Sequence, residues 1–316
     1  MNPLLLNEEE VRRLAPMPDV IDALEEAFRH QSSGKAFNNS RNRLRMSGST
    51  LHLMAAAVPG YFGYKAYTSA ASGAKFLFFL FRSGTTELLS IMEADSLGQI
   101  RTGAATGLAT RLMANPDASE ATLFGAGWQA QSQLLAMTAV RNLKRVRIVN
   151  RKVERRDEFI RKMQPLVTAS LEAADSPEES VRTSHIVTTM TSSREPVVKG
   201  EWLSPGVHLN AAGGNILLRR EVDDESILRA DRMVVDSIEQ AKIEAGEFLG
   251  VIESGRRHWE DFVELRDVVA GSKPARLSRE DITVFKSLGL ALEDVAIGKL
   301  VYERALVAGA GRRLEL

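Results

Sequence analysis

The chain contains no cysteine, which excludes thiol catalysis, disulfides and cysteine-ligated metal. It has no excess of either charge: 41 basic and 41 acidic residues give a formal net charge of zero. That balance argues against nucleic acid or an anionic membrane as the main partner. No apolar run approaches membrane-spanning length. The patch Phe76 to Phe81 is too short for a bilayer and reads as a strand buried on both faces. Met1 to Val11 carries acids where a secretory leader would carry bases, so a cytoplasmic protein is expected. The five histidines, His30, His52, His185, His208 and His258, are scattered without metal spacing, and no metal is expected. Internal repeats and low-complexity segments are absent too.

What is there begins with residues 121–130, Ala-Thr-Leu-Phe-Gly-Ala-Gly-Trp-Gln-Ala, a short apolar run that breaks into a glycine turn and continues as a helical pattern. Gly125 permits a tight turn, Gly127 lets backbone N–H groups approach a pyrophosphate, and Ala130 is small enough for close packing of helix on strand. The start of the following helix favours phosphate. Gln131 to Val140 continues at helical spacing, and Arg145 to Val149 alternates as a strand, completing a βαβ unit. The second strand ends at Asn150-Arg151. No acid stands where an NAD-selective domain places one on the ribose. Asn150 can bind a hydroxyl and Arg151 can face the extra phosphate of NADP, so NADP(H) is expected to be preferred with NAD(H) possible. Alternatively, Asn150 caps the helix starting near Val153 and Arg151 is a solvated surface residue.

At 316 residues the chain has room for two domains. Residues 1–116 read as α+β: a helix around Asp19 to Gln31, strands near Thr50–Met54, Tyr61–Thr68, Lys75–Arg82 and Glu87–Met92, then a helix following Arg101 to Met113. Asn115-Pro116-Asp117 is a turn and a candidate boundary. Beyond it, Ala121–Phe124, Arg145–Val149, His185–Thr189, Val207–Ala211 and Met233–Val235 alternate with helical stretches. That alternation predicts an α/β domain over 117–287, a Rossmann-type doubly wound parallel sheet. Thr283–Phe285 and a long helix from Leu288 to Ala308 follow, and the segment 288–316 is expected to return to the first domain.

Together, Gly125-Ala-Gly-Trp-Gln129, Arg101-Thr-Gly-Ala-Ala105, Asn150-Arg151, Val234-Val-Asp-Ser237 and Phe285-Lys-Ser-Leu-Gly289-Leu-Ala-Leu-Glu-Asp294 resemble the ornithine cyclodeaminase and mu-crystallin family, in order along nearly the whole chain. The resemblance implies a nucleotide domain, a substrate and dimerisation domain, and a homodimer. It assigns Lys65 to the substrate, anchoring its carboxylate and assisting proton transfer; without it, a lysine between Tyr64 and Tyr67 reads as a strand residue pointing at water. Arg101 can grip a substrate carboxylate or a cofactor phosphate with its fork. Thr102 either caps the helix or touches phosphate. A second carboxylate arginine is expected upstream of Leu51; spacing favours Arg41, with Arg43 and Arg45 open.

Trp128 and Gln129 complete the family's glycine turn. Thr189, Asn210, Ala211, Arg219 and Ser287 follow its cofactor pattern at strand ends, although Thr189, Asn210 and Ser287 can equally make local hydrogen bonds. Asp236 is expected to cap the following helix. Two departures touch the substrate pocket: Met54 is followed by Ala55 rather than proline, and the loop after Thr68 is short. A third is Asn215, where cyclodeaminases of the family carry an aspartate base. An amide cannot take a proton, so ring-closing deamination of ornithine is disfavoured, while Asn215 as a plain turn residue stays open. The implied function is NADPH-dependent reduction of cyclic ketimines of the pyrroline-2-carboxylate and piperideine-2-carboxylate type to L-proline or L-pipecolate-like products. An ornithine cyclodeaminase, an alanine-type dehydrogenase and a mu-crystallin-like binder of NADPH or a small ligand are the alternatives.

Overall fold

A computed structural model describes residues 2–85 and 87–315. Met1, Thr86 and Leu316, which the expected segments 1–116 and 288–316 include, lie outside the described residues. The first elements are β1 (Leu4–Leu6), α1 (Glu8–Leu14), α2 (Met17–Ser32), β2 (Phe37–Asn38), β3 (Asn42–Met46) and β4 (Ser49–Val58). There follow β5 (Tyr61–Ala70), β6 (Gly73–Arg82), β7 (Leu88–Glu93) and α3 (Asp95–Met113). The second series runs β8 (Glu120–Phe124), α4 (Trp128–Val140), β9 (Arg145–Val149), α5 (Val153–Met163), β10 (Ser170–Ala173), α6 (Pro177–Arg182), β11 (Ile186–Thr189) and β12 (His208–Ala211). It continues with α7 (Asp224–Leu228), β13 (Arg232–Val235), α8 (Ile238–Glu244), α9 (Leu249–Glu253), β14 (Phe262–Glu264), α10 (Leu265–Val269) and β15 (Thr283–Lys286). The chain closes with α11 (Ala291–Ala308) and β16 (Arg312–Arg313).

These elements form two compact units, Met1–Arg101 with Gly289–Leu316, and Thr102–Leu288. The division falls inside α3 rather than at the Asn115-Pro116 turn, because the second half of α3 packs into the second unit. A Cβ on Gly103 would lie 2.4 Å from the Ser132 carbonyl oxygen of α4, so the two helices meet backbone to backbone. Thr106 Oγ1 donates to Gln133 Oε1 (2.6 Å), and Gln133 Nε2 donates to the Thr102 carbonyl (3.2 Å).

The first unit is a mixed sheet in the order β16-β1-β7-β6-β5-β4-β2, with β3 paired to β4. Strands β4 to β7 form an antiparallel meander. Helix α11 lies across β4, β5 and β6 and against α2. Glycines set this approach: Cβ atoms on Gly63 or Gly298 would clash with the Phe78 ring at 2.7 and 2.1 Å. Phe78 and Leu80 are fully buried beneath it, whereas Leu77 is 43% exposed. The apolar run Phe76–Phe81 is thus covered by this chain on one face only, correcting the expectation of burial on both. The period of 2 carries the other half of its side chains to the open side.

Helix α3 begins six residues earlier than the motif at Arg101 suggested. The Glu8 carboxylate accepts hydrogen bonds from the backbone N–H groups of Asp95 (2.8 Å) and Ser96 (2.7 Å). These are orphan donors of the first turn. Arg101 and Thr102 are therefore mid-helix, and Thr102 does not cap.

The second unit is an eight-stranded sheet in the order β10-β9-β8-β11-β12-β15-β13-β14. Every pairing in it is parallel. From β8 the chain winds outward through β9 and β10, then returns to start β11 on the other side of β8. That reversal opens a crevice beyond the carboxyl ends of β8 and β11, the usual seat of a ligand in such sheets. Two cores pack on the sheet, one around Leu134, Met137, Val146 and Phe159, the other around Val187, Leu209, Phe248 and Val284.

Candidate active site

In the first unit, strand alternation puts Gly63, Lys65 and Tyr67 on the face that α11 covers. Lys65 is only 2% exposed, not solvent-facing, and its Nζ donates to Asp294 Oδ1 at 2.7 Å. Asp294 sits in the first turn of α11. Arg101, from α3, reaches the same turn: Nη1 donates to Glu293 Oε2 at 3.0 Å, and Nε lies 3.3 Å from Asp294 Oδ1. Arg41 joins them from the segment before β3, donating from Nη2 to the Gly289 carbonyl (3.1 Å) and from Nε to Met54 Sδ (3.3 Å). Of the three candidate arginines, Arg41 is the buried one; Arg43 is half-buried and Arg45 exposed along β3.

Burial pushes the Lys65 ammonium down to about 8. Asp294 beside it acts in the opposite sense, and Arg101 and Arg41 add to the lowering. For Arg101, burial opposes the charge, but Asp294 and Glu293 outweigh it and hold its pKa above the ordinary value. His52 stacks on Tyr67 with ring centroids 4.1 Å apart. Burial, then Arg43, Arg41 and Arg45, push it down to about 4, so it is neutral.

In the second unit, the glycine turn lies at the crevice. Gly125 has φ of +108°, and a Cβ there would be 2.2 Å from the Met190 carbonyl oxygen at the end of β11, so both the turn and the close approach require glycine. Gly127 is the N-cap of α4 and no side chain caps the helix. A Cβ at Gly127 would meet nothing within 4 Å. The space beside Gly127 at the start of α4 is thus open, as a pyrophosphate seat requires. Trp128 is 46% exposed, and the buried Gln129 Oε1 has no hydrogen-bond partner among the described residues. These features fit a dinucleotide.

After β9, Asn150 donates from Nδ2 to the Lys152 carbonyl (2.8 Å), and Lys152 is the N-cap of α5. Asn150 therefore does not cap that helix, and Arg151 is exposed beside it. Thr189 ends β11 and donates to Glu221 Oε2 (2.9 Å). The Asn210 side chain is committed to a buried network, donating to Thr110 and Thr188 and lying 3.1 Å from His208 Nε2. Ala211 ends β12, and Ser287 is buried after β15, its N–H bonded to the Ala211 carbonyl. Asn215 and Arg219 are half-buried in the loop after β12. The cap expected of Asp236 is made by Ser237, which accepts from Gln240 N–H. Asp236 instead accepts from the N–H groups of Ser237 and Leu288.

Several residues went unassigned in the sequence. Asp294 and Glu293 were present in the quoted motif, where adjacent acids at a helix start read as dipole complements. Glu221 accepts four hydrogen bonds, from Thr189, Gly213 N–H, Thr191 N–H and the Thr191 hydroxyl, tying together the loops after β11 and β12. Lys286 is fully buried and paired with Glu247 at 3.0 Å, and it also donates to the Gly214 carbonyl at 2.7 Å. Lys286 lies inside the motif from Phe285 to Asp294, and nothing local in sequence marks Glu221.

Matched against models of protein families, residues 1–309 fit the one described as Ornithine cyclodeaminase/mu-crystallin family. An alanine dehydrogenase of Archaeoglobus fulgidus is 36% identical over 324 aligned positions, covering 100% of this chain and 99% of the relative. Among solved structures, the Thermococcus litoralis Delta(1)-pyrroline-2-carboxylate reductase in complex with NADH and L-proline superposes with a TM-score of 0.93 at 30% identity, covering 98% of this chain and 100% of the other. An archaeal alanine dehydrogenase dimer with bound NAD gives a TM-score of 0.93 at 34% identity, with both chains fully covered.

Proposed function

The chain belongs to the ornithine cyclodeaminase/mu-crystallin family and is an NAD(P)-dependent oxidoreductase acting on the C–N bond of amino or imino acids; within that class, we propose that it reduces cyclic ketimines to cyclic amino acids. The observation that carries this reading is the charge of the buried cluster. Lys65, Arg101 and Arg41 bring three basic groups and Asp294 and Glu293 two carboxyl groups, leaving one basic group in excess. A substrate with one carboxylate and an otherwise uncharged body neutralises it; ornithine would bring a second ammonium. Asn215, without a titrating carboxylate, offers no base for that amine.

Arg41 and Arg101 would hold the substrate carboxylate, Arg101 through its planar fork. Lys65 Nζ would give a proton to the imine nitrogen, and a proton donor with a pKa near the working pH is the efficient kind. A bound nicotinamide cofactor supplies the hydride. Gly125, Gly127 and the start of α4 would hold its pyrophosphate. The exposed Arg151, with no acid beside it, supports NADPH over NADH.

The relative named alanine dehydrogenase supports a second substrate choice, a keto acid with ammonia, using the same groups. We also propose a homodimer. Leu53 and Leu77 flank Ala66 in register on the open side of the first unit's sheet, with Phe62 two rows on. They are 37%, 43% and 49% exposed, and a second copy would cover them.

The test is a coenzyme-oxidation screen with NADPH and NADH against pyrroline-2-carboxylate, piperideine-2-carboxylate, pyruvate with ammonia, and ornithine. Turnover of the cyclic imines, lost in Lys65→Ala, is expected. Ammonia release from ornithine without imine reduction would overturn the proposal. No turnover in the wild type, together with NADPH affinity unchanged in Lys65→Ala, would leave a binding protein.

A further inference from the structure

The proton-donating role given to Lys65 raises a question that the reductase reading does not answer. An ammonium removed from water beside two guanidinium groups should shed its proton. Lys65 is buried, and Arg101 and Arg41 both press it toward neutrality. His52 is neutral, and Tyr67 presents its ring 6.0 Å from Nζ. Glu293 is engaged with Arg101 Nη1. The acid in contact with Lys65 is Asp294.

We infer that Asp294 is a positioning residue for this chemistry, one carboxylate oxygen fixing Lys65 Nζ at 2.7 Å and Arg101 Nε at 3.3 Å and thereby keeping Lys65 both charged and aimed. The geometry is lopsided in a way that fits this role. Oδ1 takes both cations, while the buried Oδ2 has no hydrogen-bond partner among the described residues. A carboxylate placed merely to fill its surroundings would be expected to satisfy both oxygens. Because α11 supplies Asp294 and β5 supplies Lys65, the pair also fixes the ammonium's direction against the strand. During turnover, Lys65 gives its proton to the imine nitrogen as the hydride reaches carbon. Asp294 then stabilises reprotonation of Lys65 from water, so the group is restored as an ammonium for the next cycle.

This inference rests on the reductase reading for its chemistry but can be tested without turnover. The ε-carbon of lysine, labelled with 13C, titrates in NMR, and the Lys65 resonance is the one missing from Lys65→Met. In the wild-type protein it should titrate near 8. In Asp294→Asn it should move about one to three pH units lower, since an opposite charge at this range is removed. Glu293→Gln, whose carboxylate pairs with Arg101, should move it less. In steady-state assays the basic limb of kcat/KM should shift to lower pH in Asp294→Asn by the same amount, whereas a merely structural aspartate would lower the rate without moving the limb. Should Asp294→Asn melt below the assay temperature, Asp294→Glu decides the matter: it keeps the charge but displaces the oxygen, so kcat should fall with the limb in place. An unmoved Lys65 titration in Asp294→Asn, or wild-type kcat in Asp294→Glu, overturns the inference. If the wild-type protein reduces no ketimine while Lys65 still titrates as described, the reductase reading fails and the pairing stands.

Discussion

Replacing Gly289 by alanine should damage the first unit in a way that can be separated into two parts. Gly289 has φ of +81°, and a Cβ there would lie 2.0 Å from Arg101 Nη1 and 2.8 Å from Cζ. The left-handed backbone alone costs an ordinary residue roughly 1–2 kcal/mol. The guanidinium cannot step aside freely, because Glu293 and Asp294 hold it. Breaking a buried pair costs about 3–5 kcal/mol when one partner is removed, and displacement should cost part of that. A total of roughly 2–5 kcal/mol corresponds to a fall in Tm of about 3–8 °C for a chain of this size. Loss of a charge-assisted hydrogen bond to the substrate carboxylate, about 1.5–3 kcal/mol, should lower kcat/KM roughly 10- to 150-fold. Gly60→Ala is the control. Gly60 has φ of +85° with nothing within 4 Å, so it carries the backbone cost alone. The difference between the two variants, read by calorimetry and by steady-state kinetics, isolates the displaced arginine. Equal Tm and equal kcat/KM in the two variants would refute the reasoning.

Three further outcomes are expected. Gly127→Ala should keep its Tm within about one degree, since the added methyl meets nothing, yet weaken NADPH binding tenfold or more by fluorescence titration; Gly125→Ala, colliding with the Met190 carbonyl, should lose several degrees by itself. Arg151→Ala should lower the NADPH:NADH ratio of kcat/KM at least tenfold, and an unchanged ratio would remove Arg151 from cofactor selection. His208 is buried between Thr283 and Asn210, and burial, with Arg276 adding to it, pushes it down to about 3. Its folded pKa lies below the ordinary 6.5, so the folded state resists protonation. Stability is therefore full above pH 6.5 and declines as pH falls from 6.5 toward 3. Melting curves of His208→Gln over that range should be flatter than those of the wild type.

How much of this was legible depended on whether the cause was local. The parallel strands from Ala121 to Val235 were readable because each is a short run rich in β-branched and apolar residues, alternating with basic ones in Arg145–Val149, and the glycine turn was readable because Gly125 serves the backbone itself. Strands β10 and β14 escaped, the first on an apolar-poor segment with a single buried Leu171. The start of α3 was invisible because its cap, Glu8, lies far upstream. The open face of Phe76–Phe81 was hidden because period-2 burial cannot be read from a run that is apolar at every position. In the site, composition and spacing left Arg41, Arg43 and Arg45 equivalent, and burial separated them. Asp294 was in plain view, but an acid in a first helical turn has a sufficient local explanation. Only the third dimension pairs it with a lysine from another element.

The first unit is assembled from both ends of the chain, with α11 laid over the sheet that carries Lys65. During synthesis, strands β4 to β6 therefore leave the ribosome long before their cover does. Until the residues from Gly289 onward emerge, Phe78, Leu80 and the lysine have no lid, while the whole of Thr102–Leu288 has already been made and is free to fold. The nascent protein thus passes through a stage with a finished parallel sheet and a naked antiparallel one. In that interval the apolar face lacks the cover that α11 later supplies, and exposed surface of this kind invites aggregation or chaperone binding.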